Sequence, residues 1–81
     1  MNIRVRFFSY FKDLTGTADT LQPVVEGTTV GQLHQALTHQ FPMLEPLRRS
    51  TLIAVGVEYQ GPSYVLREGD EVSLFPPVQG G

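Results

Sequence analysis

The stretch TTVGQLHQALTHQFP, residues 28–42, decides how this chain folds. Thr29 is a good helix N-cap, and Gln32 stands three residues on, the spacing of a capping box. Val30, Leu33, Leu37 and Phe41 then recur at helical spacing and form one apolar stripe. Pro42 ends the run, because the residue before a proline is pushed out of the α region. Gly31 in the first turn costs little. A single helix with one apolar stripe needs a sheet to cover it.

Strands flank the helix on both sides. Ile3, Val5 and Phe7 alternate with Arg4 and Arg6, the period of a half-buried strand, and Phe8 breaks the polar side of that pattern. DLTGTAD (13–19) reads as a turn pivoting on Gly16. TLQPVVE (20–26) reads as a second strand, placed at a sheet edge because Pro23 cannot donate to a ladder. Beyond the helix, MLEPLRRS (43–50) is a connector with room for one helical turn. TLIAVGVEY (51–59) reads as a central strand. A turn at Gly61-Pro62, a short strand in SYVL (63–66) and a turn at Gly69 lead to a closing strand, EVSLF (71–75). Val72 and Leu74 share one of its faces, and Glu71, Ser73 and Phe75 the other.

The order is β, β, α, β, short β, β. The expected fold is therefore α+β: a mixed sheet with one main helix packed on one face and the last strand brought beside the first, a β-grasp. Residues 1–75 form the domain and 76–81 a flexible tail.

Composition narrows the function. The chain of 81 residues is one domain's length, 41% hydrophobic and 17% charged. With no cysteine, neither a disulfide nor a thiolate metal site is available, and one apolar core must carry the fold. The absence of thiols suits a reducing compartment. The N-terminus lacks the features of a signal peptide, and no apolar run approaches the ~18 residues of a membrane span. A cytoplasmic location is expected, with no membrane partner. A net charge of -2 argues against nucleic acid and suits a protein partner with some positive charge.

Catalytic and metal constellations are not apparent. His34 and His39 point roughly 140° apart on the helix and share no metal; both read as polar helix-face residues. Glu68, Asp70 and Glu71 belong to a turn, and Arg48-Arg49 is too short for a nucleic-acid patch. No serine or threonine has a nucleophile's context. Phe75, and with it Phe8, is expected exposed on the sheet face away from the helix, where aromatics mark protein contacts.

The chain closes on FPPVQGG. A specified glycine pair arises by chance about 0.5% of the time. Pro76-Pro77 cannot extend a ladder and favours a stiff exit that lifts Val78, Gln79, Gly80 and Gly81 clear of the body. Six extended residues span roughly 20 Å. The reactive group at the tip is the Gly81 α-carboxylate, inert until activated, typically as an acyl-adenylate. Glycines let a close-fitting channel in another protein enclose that tip. The tail is built to be handled by other proteins.

IRVRFFSYFKDLTG (3–16), AVGVEY (54–59) and above all LREGDEVSLFPPVQGG (66–81) give the chain its resemblance to the small-subunit family of molybdopterin synthases, ubiquitin-like sulfur carriers. The resemblance covers nearly the whole chain. It implies a non-catalytic carrier subunit that binds no cofactor or metal itself. A ubiquitin-activating-like adenylyltransferase uses ATP to adenylate Gly81, and a persulfide donor converts it to a thiocarboxylate. The tail then enters the synthase large subunit, in a heterotetramer, and gives sulfur to a cyclic pyranopterin precursor to build the dithiolene of molybdopterin. By the same resemblance Gly81 bears the sulfur, Gly80 gives clearance, and Phe75, Pro76, Pro77, Val78 and Gln79 line the partner contact. Family members often carry asparagine at the position of Gly56, and serine or threonine at that of Gln79. Other functions keep the tail chemistry: sulfur delivery to thiamine, tRNA thiolation or cysteine synthesis, or a ubiquitin-like modifier joined to lysines. A plain interaction domain is the remaining alternative.

Overall fold

The computed structural model describes residues 1–77. Strands β1 (Asn2–Phe7), β2 (Asp19–Pro23), β3 (Leu52–Val55), β4 (Glu58–Tyr59) and β5 (Glu71–Phe75) form one sheet in the order β2-β1-β5-β3-β4. A short helix α1 (Phe11–Thr15) joins β1 to β2; helix α2 (Val30–Gln40) and a 3-10 helix (Pro42–Ser50) join β2 to β3. β1 runs antiparallel to β2 and parallel to β5, and β3 runs antiparallel to both β5 and β4. The sheet is mixed, and its first and last strands are neighbours near its centre, as the sequence implies. β2 is an edge, with Pro23 opposite Asn2 at its end. A proline is tolerated there because no further strand asks for its missing N–H.

Helix α2 starts as its sequence dictates. The Gln32 backbone N–H donates to Thr29 Oγ1 at 3.2 Å, and the Thr29 N–H donates to Gln32 Oε1 at 2.9 Å. Val30, Leu33 and Leu37 are buried. They meet Ile3, Val5 and Phe7 from β1 and Val72 and Leu74 from β5 in one core cluster. Phe41 packs edge-to-face on Phe7, with ring centroids 5.5 Å apart. Each such side chain, fully buried, stabilises the fold by roughly 1.5–3 kcal/mol.

Gly31 is more constrained than a first-turn position requires. Its N–H donates to the Pro62 carbonyl at 2.9 Å, and a Cβ there would stand 3.0 Å from Pro62 Cβ. The glycine lets the 61–62 turn close onto the helix start.

Four local expectations are corrected. First, DLTGTAD is not simply a turn: Phe11–Thr15 is helical and ends on Gly16 at φ 78°, the left-handed cap glycine adopts readily. Phe11 from this helix is fully buried. Second, TLIAVGVEY is not one central strand. It folds back at Gly56-Val57, pairing Val55 with Glu58, so β4 forms the second sheet edge. Gly56 has φ 62° and Val57 does not share it, the pattern of a two-residue hairpin turn that opens on glycine. Asparagine, which tolerates the same conformation, fits this turn too. Third, SYVL makes an isolated bridge, Thr29 with Val65, and no named strand. Fourth, the connector holds nine residues of 3-10 helix rather than one turn; Pro42 opens it and Pro46 sits inside it. Leu44 from this segment joins the core. Among the described residues, no helix is long and apolar enough to cross a membrane.

Candidate functional site

The parallel pair β1 and β5 ends together, Phe7 beside Leu74. The Phe8 N–H continues the ladder by donating to the Leu74 carbonyl at 3.1 Å. Ser9 then takes φ 55°, a left-handed conformation that costs a side-chain-bearing residue about 1–2 kcal/mol. The turn is held as the Phe11 N–H donates to the Phe8 carbonyl and the Lys12 N–H to the Ser9 carbonyl. Phe8 is thereby fixed beside the last residue of β5.

Phe8 and Phe75 were expected exposed on the face away from the helix. They are half-buried and stacked, with centroids 4.6 Å apart and planes 16° apart. Tyr59 meets Phe75 edge-on at 6.3 Å. Leu52 lies directly across the ladder from Phe75. Leu52 is 37% exposed and Tyr59 67%, so the cluster offers solvent an apolar surface on the side of the sheet away from α2. Aromatic pairs of this kind contribute about 0.5–1.5 kcal/mol beyond their buried area. The stack therefore gives a preformed apolar surface rather than loose side chains.

Sequence reading missed Leu52 and Tyr59 because it ran one strand through Gly56. Taking Gly56-Val57 as a hairpin turn puts Leu52, Ala54 and Tyr59 on one face by alternation. That was the available signal.

Farther along the same face lie two ion pairs. Arg4 pairs with Asp19 at 3.5 Å and Arg6 with Glu71 at 3.3 Å, all about half exposed. Glu71, read as a turn residue, thus opens β5 and ties it to β1. Asp70 holds the preceding turn by accepting from the Arg67 N–H at 2.9 Å, and Gly69 supplies a φ of 89°.

Pro76 and Pro77 lie beyond the ladder, yet both remain partly buried. The prolines end the strand, as expected. Val78, Gln79, Gly80 and Gly81 lie outside the described residues.

His34 is not the polar surface residue its position suggested. It is 9% exposed, and its Nε2 has no hydrogen-bond partner. Burial pushes the imidazole below its ordinary pKa; the nearby Arg48 charge adds to this and Glu45 opposes it. His34 lines a cleft with Glu45, Arg48, Arg49 and Gln60, on the α2 side of the sheet and away from the aromatic cluster. His39 stays exposed on the helix. Among the described residues, no three of His, Asp and Glu come together as a metal site would require.

Comparison with known proteins agrees with this geometry. The model of the ThiS family matches residues 5–81. The molybdopterin synthase sulfur carrier subunit of Escherichia coli (strain K12) is 35% identical, covering 98% of this chain and 99% of that protein. Its counterpart from Arabidopsis thaliana is 31% identical, over 100% of this chain and 84% of that protein. Among solved structures, SAMP1 from Haloferax volcanii has a TM-score of 0.88 at 25% identity, covering 100% of both chains. The chain has the ubiquitin-like β-grasp fold, is a relative of the molybdopterin synthase sulfur carrier subunits, and belongs to the ThiS family.

Proposed function

We propose that this chain is the sulfur carrier subunit of a molybdopterin synthase, working from a cytoplasmic location through its C-terminal glycine. The observation that carries the reading is the family match, which runs to Gly81 itself. The end-to-end likeness to a named sulfur carrier subunit supports it.

The chemistry lies at one carboxyl group. An adenylyltransferase partner supplies ATP; a Gly81 carboxylate oxygen attacks the α-phosphorus and pyrophosphate leaves. A persulfide sulfur then attacks the carbonyl carbon and AMP departs with the bonding electrons. A thiol, on the donor or in solution, then attacks the donor-side sulfur of the remaining sulfur–sulfur bond; a new disulfide forms there and the thiocarboxylate leaves with the electron pair. Its sulfur passes to a cyclic pyranopterin precursor within the large subunit. Residues 76–81 act as the delivery arm, with Gly80 admitting a narrow channel. The body 1–75 serves as the part that partners grip, through Phe8 and Phe75 with Leu52 and Tyr59. Pro76, Pro77, Val78 and Gln79 continue that contact toward the active site.

The test is an intact mass after incubation with the activating enzyme, ATP and a persulfide donor, followed by addition of the large subunit and precursor. One oxygen exchanged for sulfur at Gly81, then lost as precursor is converted, is the expected result. Isopeptide attachment to other proteins without sulfur gain would instead identify a modifier, and no mass change an interaction domain.

A further inference from the structure

The arginines of this chain are not all used alike. Arg4 and Arg6 are held in ion pairs on the open face of the sheet. Arg48 and Arg49 are adjacent and exposed in the last turn of the 3-10 helix. Among the described residues, neither of them has an ion-pair partner. Both line the cleft that His34 lines, a space of about 760 Å³ between α2, the 3-10 helix, β3 and the turn at 60–62. Buried Val30 and half-buried Ile53 give it apolar lining at depth, and exposed Pro46 and Pro62 do so at the mouth.

His34 supplies a second, independent observation. It is 9% exposed and its Nε2 has no hydrogen-bond partner, whereas buried polar atoms nearly always have one. The Arg48 charge reaches it, since that charge helps to lower the imidazole pKa. Glu45 is the one carboxylate in the lining, so two guanidiniums face a single negative charge.

The surroundings select the ligand. The first turn of α2 offers an anion nothing, because the Val30, Gly31 and Gln32 N–H groups already donate to Tyr64, Pro62 and Thr29. Side chains must therefore do the binding, and guanidinium forks match carboxylates two bonds at a time. Two arginines are too few for nucleic acid. Small-molecule pockets are mostly apolar and enclose their ligand, whereas the charged lining here is exposed. The chain as a whole carries a net charge of -2, so an acidic segment is repelled elsewhere on its surface and accepted here.

We propose that this cleft is a docking site for an acidic peptide segment of a protein partner. Its carboxylates pair with Arg48 and Arg49, an apolar side chain between them meets Val30 and Ile53, and His34 Nε2–H donates to a peptide carbonyl. The site does not depend on the sulfur-carrier reading. It lies on the other face of the sheet from Phe8 and Phe75, so both surfaces can be occupied at once.

The test is amide shift mapping by NMR on the full chain, with the acetylated, amidated pentapeptide Glu-Glu-Leu-Glu-Glu added to about 5 mM, a range that detects weak binding. Saturable shifts at Gly31, Thr51 and Gln60 are expected, lost when glutamine replaces the glutamates and weakened when glycine replaces the leucine. Arg48→Gln with Arg49→Gln should weaken binding at least tenfold. His34→Leu, which keeps an apolar side chain buried, should weaken it at least threefold. Arg67→Gln removes the same charge from a different groove and should leave affinity unchanged. Spectral dispersion shows that each variant is folded. Absence of saturable shifts, shifts centred on Phe75 instead, unchanged affinity in the double variant or in His34→Leu, or equal weakening by Arg67→Gln would each overturn the proposal. So would inorganic phosphate or phosphatidylglycerol vesicles giving the same shifts as readily, or shifts that follow protein concentration and mark a second copy in the cleft.

Discussion

On the sheet face turned to α2, Ile3, Val5, Phe7, Val72 and Leu74 are buried with the helix stripe above them. On the opposite face the same two strands carry Arg4, Arg6 and Glu71 in exposed ion pairs, and Phe75 stacked on Phe8 at the strand end. β1 and β5 thus alternate between two duties, one residue apart. The covered face supplies stability. The open face carries exposed ion pairs and, at the strand end, an apolar cluster that is left partly exposed. Substitutions on the two faces should therefore separate folding from binding.

The largest effect belongs to the covered face. Phe7→Ala should destabilise by about 3–5 kcal/mol, read as a fall in the denaturation midpoint, with partner affinity lost only as folded protein is lost. A loss under about 1 kcal/mol would break the comparison. Next comes the open face. Phe75→Ala should cost about 1 kcal/mol of stability, yet weaken large-subunit binding by about 2 kcal/mol or more, the scale of an interface hot spot. Calorimetric titration beside a urea melt checks both; unaltered affinity would remove the aromatic cluster from the interface.

A third test uses pH. His34 is neutral when folded because burial and Arg48 hold its pKa below the ordinary value of 6.5. The unfolded state therefore binds more protons as pH falls through that region. The His34 contribution is fully present above pH 6.5 and is lost as pH falls below it. Urea melts at pH 7.5 and 5.5 should show a drop that His34→Gln diminishes; equal slopes in the two proteins would contradict it. The smallest effect is expected for Arg6→Gln, which removes an exposed ion pair worth about 0–1 kcal/mol. A loss beyond this range would mean that the charged half of the open face holds the sheet together.

The features the sequence made legible were those with a single local cause. The capping box and apolar stripe fixed α2, Pro23 placed β2 at an edge, and alternation separated the faces of β1 and β5. What escaped depended on distant parts of the chain. Helix α1 is too short for periodicity to reveal, although Phe11, Leu14 and the cap at Gly16 are consistent with it. Gly56 interrupts an apolar run without any polar turn residue, because Val57 at the hairpin tip is 99% exposed. His34 is buried by the 3-10 helix that packs over α2, and two prolines there disguise nine helical residues. At the site, Phe8 and Phe75 were legible as aromatics on the open face. Their stacking arises from the β1–β5 pairing 67 positions along the chain, and Tyr59 and Leu52 were hidden behind the missed hairpin.

The pairing of the first strand with the last has a consequence for synthesis. β5 lies at the middle of the sheet, between β1 and β3. A nascent chain therefore cannot assemble its sheet until residues 71–75 have left the ribosome. A fragment ending before Glu71 lacks the strand that joins the two halves and leaves Val5 and Phe7 without Val72 and Leu74. Such fragments should be cleared by proteases, so that the folded state itself certifies that the central strand has been made.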